Sequence, residues 1–455
     1  MTRPVLRLGR RAALLGPLLL AGCETIDSIT SGDFFDDLFT ANKPPLPGKR
    51  EDVLIDNGPG HNAALETDTR PIVLPPAETN ADWMIPERTP RHLPGHLVGG
   101  ANMSRVWRSD IGDGAGYRTA LTAQPLIAGK RVFAMDSDAQ ITAWSLDSGS
   151  RLWRTDTRPE HDRSTNIGGG ISTDGTTVWA TTGRAELMAL DAATGDIKWR
   201  VSTQTPGRSA PILDGQRLYY TTIDSRLVAA SATDGTQIWA YQAKDSPSRV
   251  LSEASPAVAD GLVIAGFGSG ELSSVHADTG VVAWSDSLAA GSGRIAATDF
   301  STVRGMPVVS GGRVYATSVA NTTVCIDRNT GRRLWTRALG GGQTPLLIND
   351  TLFLVTADQV ATALAADTGG TRWQRTLPRY EKPERSRGAI FWVGPLLVSG
   401  RLVFVSTTKQ LQSVNPADGS LLTQHELAGP ATVSPVAAAG LLFTLTGDGT
   451  LAAWS

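Results

Sequence analysis

Apolar and polar residues alternate in short runs through most of this chain, and turn residues interrupt the runs before they become long. The alternation is clear at residues 198–201, and residues 177–180 and 186–190 are two further short runs of strand length. Successive side chains of a β-strand point to opposite faces, so a period of two residues predicts half-buried strands. We therefore predict that the chain from about residue 101 onward is all-β.

A longer pattern repeats on top of this alternation and predicts how the strands are grouped. A strand ending in Asp is followed by a tight turn with Gly and by a Trp four residues later, as in residues 189–199. Polar side chains before the Gly cap such a turn, and Gly adopts the positive φ that it needs. The turn glycine recurs about every 45 residues, at Gly149, Gly195, Gly235, Gly280, Gly331, Gly369 and Gly419.

The tryptophans mark the last strand of each repeat. Four short strands in about 45 residues are typical of one β-propeller blade. We expect each indole to cover the glycine turn of a neighbouring blade, where no Cβ blocks its approach, although a ring could also serve as a ligand platform. These structural docking residues are Trp107, Trp153, Trp199, Trp239, Trp284, Trp335 and Trp373, and Thr423 stands at the remaining position.

The two ends of the repeat region complement each other. Residues 451–455 match the third strand of a blade without its fourth, and residues 104–110 match a fourth strand without the other three. Pairing them predicts an eight-bladed propeller of four-stranded antiparallel blades, closed by an N-terminal strand that completes the last blade. Closure removes exposed strand edges.

The first residues predict export. Arginines within residues 3–11 precede a short apolar stretch and the sequence Leu-Ala-Gly-Cys at 20–23, which resembles a bacterial lipoprotein processing site. We expect residues 1–22 to be a lipoprotein signal peptide and Cys23 to carry the lipid. Residues 23–100 contain ten prolines and are predicted to be a Pro-rich tether, with Trp83 docking on the body at 101–455. Glu24 follows the cysteine, which by resemblance to lipoprotein sorting rules implies the periplasmic face of the outer membrane.

Composition excludes several other classes of function. The formal net charge of −2 does not suit a nucleic-acid-binding protein. The only cysteines are Cys23 and Cys325, which excludes a disulfide framework and a four-thiolate metal site. His92 and His96 are four residues apart, but Pro94 and Gly95 between them argue against a helical ligand pair. We therefore expect no metal, no cofactor and no catalytic residues.

The Asp-turn-Gly-Trp unit resembles the docking motif of quinoprotein-like propellers. Eight such blades behind a lipoprotein signal resemble the BamB family, the lipoprotein subunits of the outer-membrane β-barrel assembly machinery. The resemblance implies a non-enzymatic scaffold that binds the barrel-insertion (BamA-like) subunit and aids unfolded outer-membrane proteins as clients. It also implies partner contacts through two connections around the fourth blade, at Ser248, Arg249, Val250, Leu251, Asp299 and Arg304.

Two other functions remain open at this point. A pyrroloquinoline-quinone dehydrogenase uses the same propeller, but members of that class commonly have a vicinal cysteine pair and extra insertions, and this chain has no such pair. A periplasmic scaffold with another client is the second alternative. The charged run at residues 378–387 could add a second partner surface, although such runs are usually only solvated.

Overall fold

Short β-strands form almost all of the regular structure, because the alternating pattern buries one or both faces of each strand. The structure, a computed structural model, describes residues 67–116, 119–246, 254–289 and 302–455. In this part of the chain eight antiparallel four-stranded sheets are arranged as the blades of a propeller. The all-β class, the eight blades and their closure, all predicted from the sequence, are confirmed.

The first four blades follow one another along the chain. Blade 1 contains β2 (Leu126–Ala128), β3 (Arg131–Met135), β4 (Ile141–Ser145) and β5 (Arg151–Thr155). Blade 2 contains β6 (Gly169–Thr173), β7 (Thr177–Thr182), β8 (Glu186–Asp191) and β9 (Ile197–Ser202). Blade 3 contains β10 (Ile212–Asp214), β11 (Arg217–Thr221), β12 (Arg226–Ser231) and β13 (Gln237–Gln242). Blade 4 contains β14 (Ala257–Ala259), β15 (Leu262–Gly266), β16 (Glu271–His276) and β17 (Val282–Ser287).

Blades 5 to 8 complete the ring. Blade 5 contains β18 (Val308–Ser310), β19 (Arg313–Ser318), β20 (Thr322–Asp327) and β21 (Arg333–Arg337). Blade 6 contains β22 (Leu346–Ile348), β23 (Thr351–Val355), β24 (Val360–Ala365) and β25 (Thr371–Thr376). Blade 7 contains β28 (Trp392–Val398), β29 (Arg401–Ser406), β30 (Gln410–Val414) and β31 (Leu421–Glu426). Blade 8 contains β32 (Val436–Ala438), β33 (Leu441–Leu445), β34 (Thr450–Trp454) and β1 (Arg105–Asp110).

The charged run predicted at 378–387 lies mostly in a small hairpin between blades 6 and 7. Its strands are β26 (Tyr380–Lys382) and β27 (Arg387–Ala389), joined by a 3-10 turn at Pro383–Arg385. Every residue from 381 to 389 is exposed. The hairpin therefore contributes charge to the surface and nothing to the core.

Blade 8 joins the two ends of the repeat region. Strand β1 pairs antiparallel with β34, in a register that places Arg105 opposite Trp454 and Asp110 opposite Thr450. The Ser455 N–H donates to the Ser104 carbonyl at 2.9 Å, just beyond the paired strands. The main-chain ladder thus holds the ring closed without a covalent link.

Strand direction gives the propeller two distinct faces. Strands alternate in direction within each blade, so the first-to-second and third-to-fourth turns lie at one end of the blade. We call this end the turn face. The second-to-third turns and the connections between blades lie at the opposite end, which we call the loop face.

Tryptophan rings lock each blade onto the next at the turn face. A Cβ on any of the seven turn glycines would lie 2.5–2.9 Å from a ring or Cβ atom of a Trp in the preceding blade. The pairs are Gly149–Trp107, Gly195–Trp153, Gly235–Trp199, Gly280–Trp239, Gly331–Trp284, Gly369–Trp335 and Gly419–Trp373. The ring can only fit because these positions have no side chain.

The indole nitrogen adds a hydrogen bond to this contact. Trp239 Nε1 donates to the Ala277 carbonyl at 3.0 Å, and Trp335 Nε1 donates to the Ala366 carbonyl at 3.0 Å. Each acceptor lies three residues before the turn glycine. At the Gly235 turn the equivalent carbonyl, that of Ala232, accepts from Trp179 of the same preceding blade instead. The rings are thus held at the outer strands by apolar contact and hydrogen bonding together.

Thr423 stands where blade 7 would have its docking Trp, and the topology explains the exception. Strands β34 and β1 of blade 8 come from opposite ends of the propeller sequence, so no tight glycine turn joins them. A Trp on β31 would have no glycine to cover. The Thr423 hydroxyl lies instead 2.6 Å from that of Ser413, within its own blade.

Residues 67–103, which we call the N-terminal cap, lie against the turn face. The Trp83 N–H donates to the Ile127 carbonyl at 2.7 Å, and the Ile127 N–H donates back to Trp83 at 2.9 Å. Both Trp83 and Leu97 are fully buried. The sequence predicted an extended tether over 23–100 with docking at Trp83. In the structure the described part of this segment, residues 67–100, is docked on the blades along its length, and residues 23–66 lie outside the described residues.

The cap satisfies polar groups that the blades leave unpaired. The first strand of each blade faces the central axis and has no neighbour on that side. Cap carbonyls accept hydrogen bonds from N–H groups in or next to the first strands of blades 1, 2, 4, 5, 7 and 8, namely those of Ile127, Thr173, Val258, Val309, Ser399 and Ala439. Buried N–H groups without partners are costly, so the cap is part of the folded body.

His92 and His96 fasten the cap to the blades. His92 is fully buried and its Nδ1 donates to the Pro307 carbonyl at 2.7 Å. Burial lowers the pKa of His92 to about 4, so the ring is neutral at physiological pH. His96 Nδ1 lies 2.7 Å from the Pro75 carbonyl and Nε2 accepts the Gly400 N–H at 2.9 Å. The two rings are structural hydrogen-bonding groups.

We predict that Gly280→Ala destabilises the propeller more than Gly261→Ala. Both glycines have positive φ, +72° and +77°, so each alanine costs about 1 kcal/mol for its backbone conformation. Only Gly280 lies under a Trp, whereas no atom lies within 4 Å of a Cβ at Gly261. The clash should add about 1–3 kcal/mol. Urea unfolding monitored by fluorescence measures both, and equal losses would show that the docked ring contributes nothing.

We also predict that Trp83→Ala lowers the free energy of unfolding by about 3–5 kcal/mol, because it empties a fully buried site between cap and blade. Val73→Ala is the control within the cap, since Val73 is 64% exposed and its truncation should change stability by less than about 0.5 kcal/mol. Thermal unfolding of both variants provides the measurement. A Trp83→Ala protein as stable as the control would mean that the cap does not stabilise the ring.

Candidate partner-binding face

The two connections predicted to bind the partner lie on the loop face, on either side of blade 4. One joins β13 to β14 and the other joins β17 to β18. Ser248, Arg249, Val250, Leu251 and Asp299 lie outside the described residues. Arg304 is described and exposed. The topology therefore places the described ends of both connections, at residues 246, 254, 289 and 302, at the loop face beside blade 4.

The start of the first connection is held in place by a partly buried carboxylate. Glu271 on β16 accepts hydrogen bonds from the Tyr241 hydroxyl at 2.7 Å, the Ser273 hydroxyl at 2.5 Å and the Lys244 N–H at 2.8 Å. Burial opposes ionisation of this group, but the hydrogen bonds outweigh it and lower the pKa of Glu271. The chain leaving β13 is thus attached to blade 4 by a charged acceptor.

The end of the second connection is held by apolar packing. Val303 is fully buried, and its side chain fills the space beside Gly266, where a Cβ would overlap it. The Val303 N–H donates to the Phe267 carbonyl at 3.1 Å. The backbone immediately before Arg304 therefore has a defined position on blade 4.

Between the blades, on the central axis, lies a small polar well. Its volume is about 100 Å³, and most of its lining precedes the first strands of blades 1, 4, 5, 6 and 8. Arg304, Gln124, Thr344 and Thr432 contribute polar groups, and the cap contributes Glu87. These lining residues come at the ends of the connections between blades, so the well opens on the loop face. The cap lies on the opposite side of the well, toward the turn face.

Glu87 places a buried carboxyl group in the well. Its backbone N–H donates to Gln124 Oε1 at 3.0 Å, and Gln124 Nε2 donates to Glu87 Oε1 at 2.8 Å. Burial raises the pKa of Glu87 to about 7. The hydrogen bond from Gln124 lowers the pKa and so offsets part of this rise. The protonation state of the Glu87 carboxyl group therefore changes near physiological pH. The sequence analysis missed Glu87, because it treated residues 23–100 as lying outside the body.

The well does not fit the quinone cofactor of the dehydrogenases that share this architecture. Pockets for organic cofactors are typically about 300 Å³ or larger, several times the volume of this well. Among the described residues no group of three or more His, Cys, Asp or Glu side chains could hold a metal ion. The Trp residues that were predicted to dock between blades pack against their glycine turns. None of them lines the well.

No helix in the described part of the chain has the length and apolar character needed to cross a bilayer. Cys23 lies outside the described residues. A membrane attachment at that residue is therefore argued from sequence alone.

Known proteins resemble this chain over the propeller. A family model described as outer membrane protein assembly factor BamB matches residues 138–375 and 357–455. The BamB of Yersinia pestis is 27% identical over 360 residues, which cover 77% of this chain and 88% of that protein. The BamB of Escherichia coli K12 is 24% identical over 352 residues, covering 76% and 87%.

Solved structures agree on the fold. The crystal structure of BamB from Moraxella catarrhalis has a TM-score of 0.66 at 17% identity and covers 77% of this chain and 99% of that one. The quinohemoprotein alcohol dehydrogenase of Comamonas testosteroni has a TM-score of 0.62 at 13% identity, covering 83% and 81%. At such identities the structural likeness shows the propeller fold alone. The match to the BamB family model distinguishes the assembly factors from the quinoprotein dehydrogenases for this chain. The chain belongs to the family of the outer membrane protein assembly factor BamB.

Proposed function

We propose that this protein is a non-enzymatic scaffold of the complex that assembles β-barrel proteins into the outer membrane. Its loop face binds the barrel-insertion subunit of that complex and so aids folding and insertion of outer-membrane proteins. The observation that carries this proposal is the family match over residues 138–455. The quinoprotein alternative has no comparable support, because the well is too small for the cofactor.

The geometry of blade 4 supports the loop face as the binding surface. Loops on a rigid scaffold commonly carry binding. Each connection has one end attached to blade 4, the first through the hydrogen bond of the Lys244 N–H to Glu271 and the second through Val303. Val250 and Leu251 act as apolar anchors in this proposal, and Asp299 and Arg304 orient the partner by charge. The turn face is unsuited to the role, because the cap covers its centre.

We propose in addition that a lipid on Cys23 holds the protein at the periplasmic face of the outer membrane. Residues 1–22 act as the signal peptide, and the chain from Cys23 to the cap links the lipid to the propeller. Three acyl chains anchor stably, since each buried CH₂ contributes about 0.8 kcal/mol. The scaffold is thereby concentrated where barrels are inserted.

The binding surface is tested with Val250→Glu combined with Leu251→Glu. Two charges in place of two apolar anchors should reduce recovery of the barrel-insertion subunit about tenfold or more in co-purification from solubilised membranes. The matched control is Leu421→Glu with Leu422→Glu, which alters an exposed aliphatic pair on the outer strand of blade 7. Unchanged recovery with the first pair would place the binding surface elsewhere.

The anchor is tested with Cys23→Ser, which removes the thiol that receives the lipid. We expect the variant to move from the outer-membrane fraction to the soluble periplasmic fraction. Cys325→Ser is the matched control, because that thiol is buried in β20 and faces no membrane. Membrane fractionation followed by immunoblotting measures both, in cells that lack the barrel partner. A Cys23→Ser protein that still sediments with the outer membrane would exclude the lipid anchor.

A further inference from the structure

The hairpin between blades 6 and 7 has a fixed base. Arg379 at its start lies 3.2 Å from Asp358 of blade 6. At its end the Phe391 N–H donates to the Thr407 hydroxyl of blade 7 at 3.0 Å, and the Thr407 N–H donates back to the Phe391 carbonyl at 3.1 Å. The Ile390 N–H closes the base by donating to the Arg379 carbonyl at 2.8 Å. Both neighbouring blades therefore hold the hairpin, and its exposed tip has a defined place on the loop face.

The hairpin carries an excess of positive charge. Residues 379–387 contain four basic and two acidic side chains, although the whole chain has a formal net charge of −2. Lys382 and Arg385 are exposed and have no ion-pair partner in the described part of the chain. Lys409, in the turn of blade 7 that also contains Thr407, is exposed and unpaired among the same residues. Because Thr407 is bonded to Phe391, Lys409 adds a further positive charge beside the hairpin.

An exposed aromatic ring lies at the end of this hairpin. Phe391 is 56% exposed, which makes it the most exposed aromatic residue in the part of the chain that the structure describes. A ring in this position can enter the boundary between the headgroups and the acyl chains of a bilayer, while neighbouring Lys and Arg side chains reach the headgroups. An apolar ring among basic residues is typical of a surface that contacts anionic lipid.

The chain that leads from Cys23 joins the propeller at the same blade. The Asp68 N–H donates to the carbonyl of Thr371, the first residue of β25, at 2.9 Å. Arg70 is ion-paired with Asp367 of the preceding turn at 2.6 Å. The hairpin follows the other end of β25, whose 6 residues span about 20 Å. The segment that leads to the proposed lipid and the basic hairpin therefore meet the body at the two ends of one outer strand.

We propose that residues 379–391 and Lys409 form a membrane-contact surface that binds anionic phospholipid headgroups. This inference rests on the proposed lipid anchor and goes beyond the scaffold function. Phe391 enters the lipid boundary, and the basic side chains around it pair with the phosphate groups. One ring and a few charges bind reversibly, so the contact orients a chain that the lipid already holds.

This surface is separate from the proposed partner surface. The connections that flank blade 4 lie at other junctions of the ring. A chain that contacts the membrane through the hairpin between blades 6 and 7 can therefore bind the barrel-insertion subunit at the same time.

The test is flotation of the full-length Cys23→Ser chain with vesicles, so that the lipid anchor does not contribute. Vesicles of phosphatidylethanolamine with phosphatidylglycerol should bind this chain, and vesicles in which phosphatidylcholine replaces phosphatidylglycerol should bind it much less. Lys382→Gln combined with Arg385→Gln should lower the partition into anionic vesicles about tenfold to thirtyfold. Phe391→Ala should lower it about threefold to tenfold, because the ring no longer leaves water. Raising the salt concentration should weaken binding of the parent chain more than that of the charge variant.

Lys130→Gln with Arg151→Gln is the matched control. It removes one exposed lysine and one exposed arginine from the turn face of blade 1, and it should float as the parent chain does. Equal losses in the control and in the hairpin variants would show that only overall charge matters, and the proposal would be wrong. Equal flotation with both kinds of vesicle, or flotation with neither, would also overturn it.

Co-purification with the barrel-insertion subunit distinguishes lipid from an acidic protein as the occupant. If the hairpin variants lose vesicle binding and still recover the subunit, the hairpin contacts lipid and is separate from the partner surface, as proposed. If they bind vesicles normally and recover less of the subunit, the hairpin contacts protein and the lipid assignment is wrong. Either result leaves the lipid anchor to be judged by fractionation of Cys23→Ser in cells.

Discussion

The contact between a tryptophan ring and a glycine turn of the next blade is the interaction on which the rest of this structure depends. It recurs at seven of the eight blade junctions, and each ring occupies space that any Cβ would fill. The outer strand of a blade is otherwise a half-exposed edge, whose main-chain groups and apolar side chains favour aggregation. Docking its largest side chain on a neighbour fixes the angle between blades and covers part of that edge.

Ring closure and the cap make the two faces of the propeller different from each other. Strand β1 closes blade 8 through main-chain pairing, and the cap pairs the N–H groups that the first strands present around the axis. The cap contacts occupy the centre of the turn face. The connections between blades remain on the opposite face, with the well at their centre, and the cap does not cover that face.

The partner-binding residues assigned from the sequence stay a prediction, because most of them lie outside the residues that the structure describes. Counting repeats assigned residues 248–251 and 299–304 to connections around blade 4, because the order of blades follows the order of the chain. It could not show that Arg304 faces a cavity on the axis, since the residues around it come from several blades. Glu87 was missed for the same reason, because its partner Gln124 precedes blade 1 while Glu87 belongs to a segment that appeared extended and polar.

The sequence by itself determined the all-β class, the number of blades, the docking pairs and the closure, because each is encoded by local pattern or by spacing along the chain. Even the missing tryptophan at Thr423 follows from where the repeat is broken. Tertiary structure alone decided the course of residues 67–103, the environments of His92 and Glu87, and the position of Arg304 beside the central well. Those features depend on burial and on contacts between distant blades, which a one-dimensional pattern does not contain.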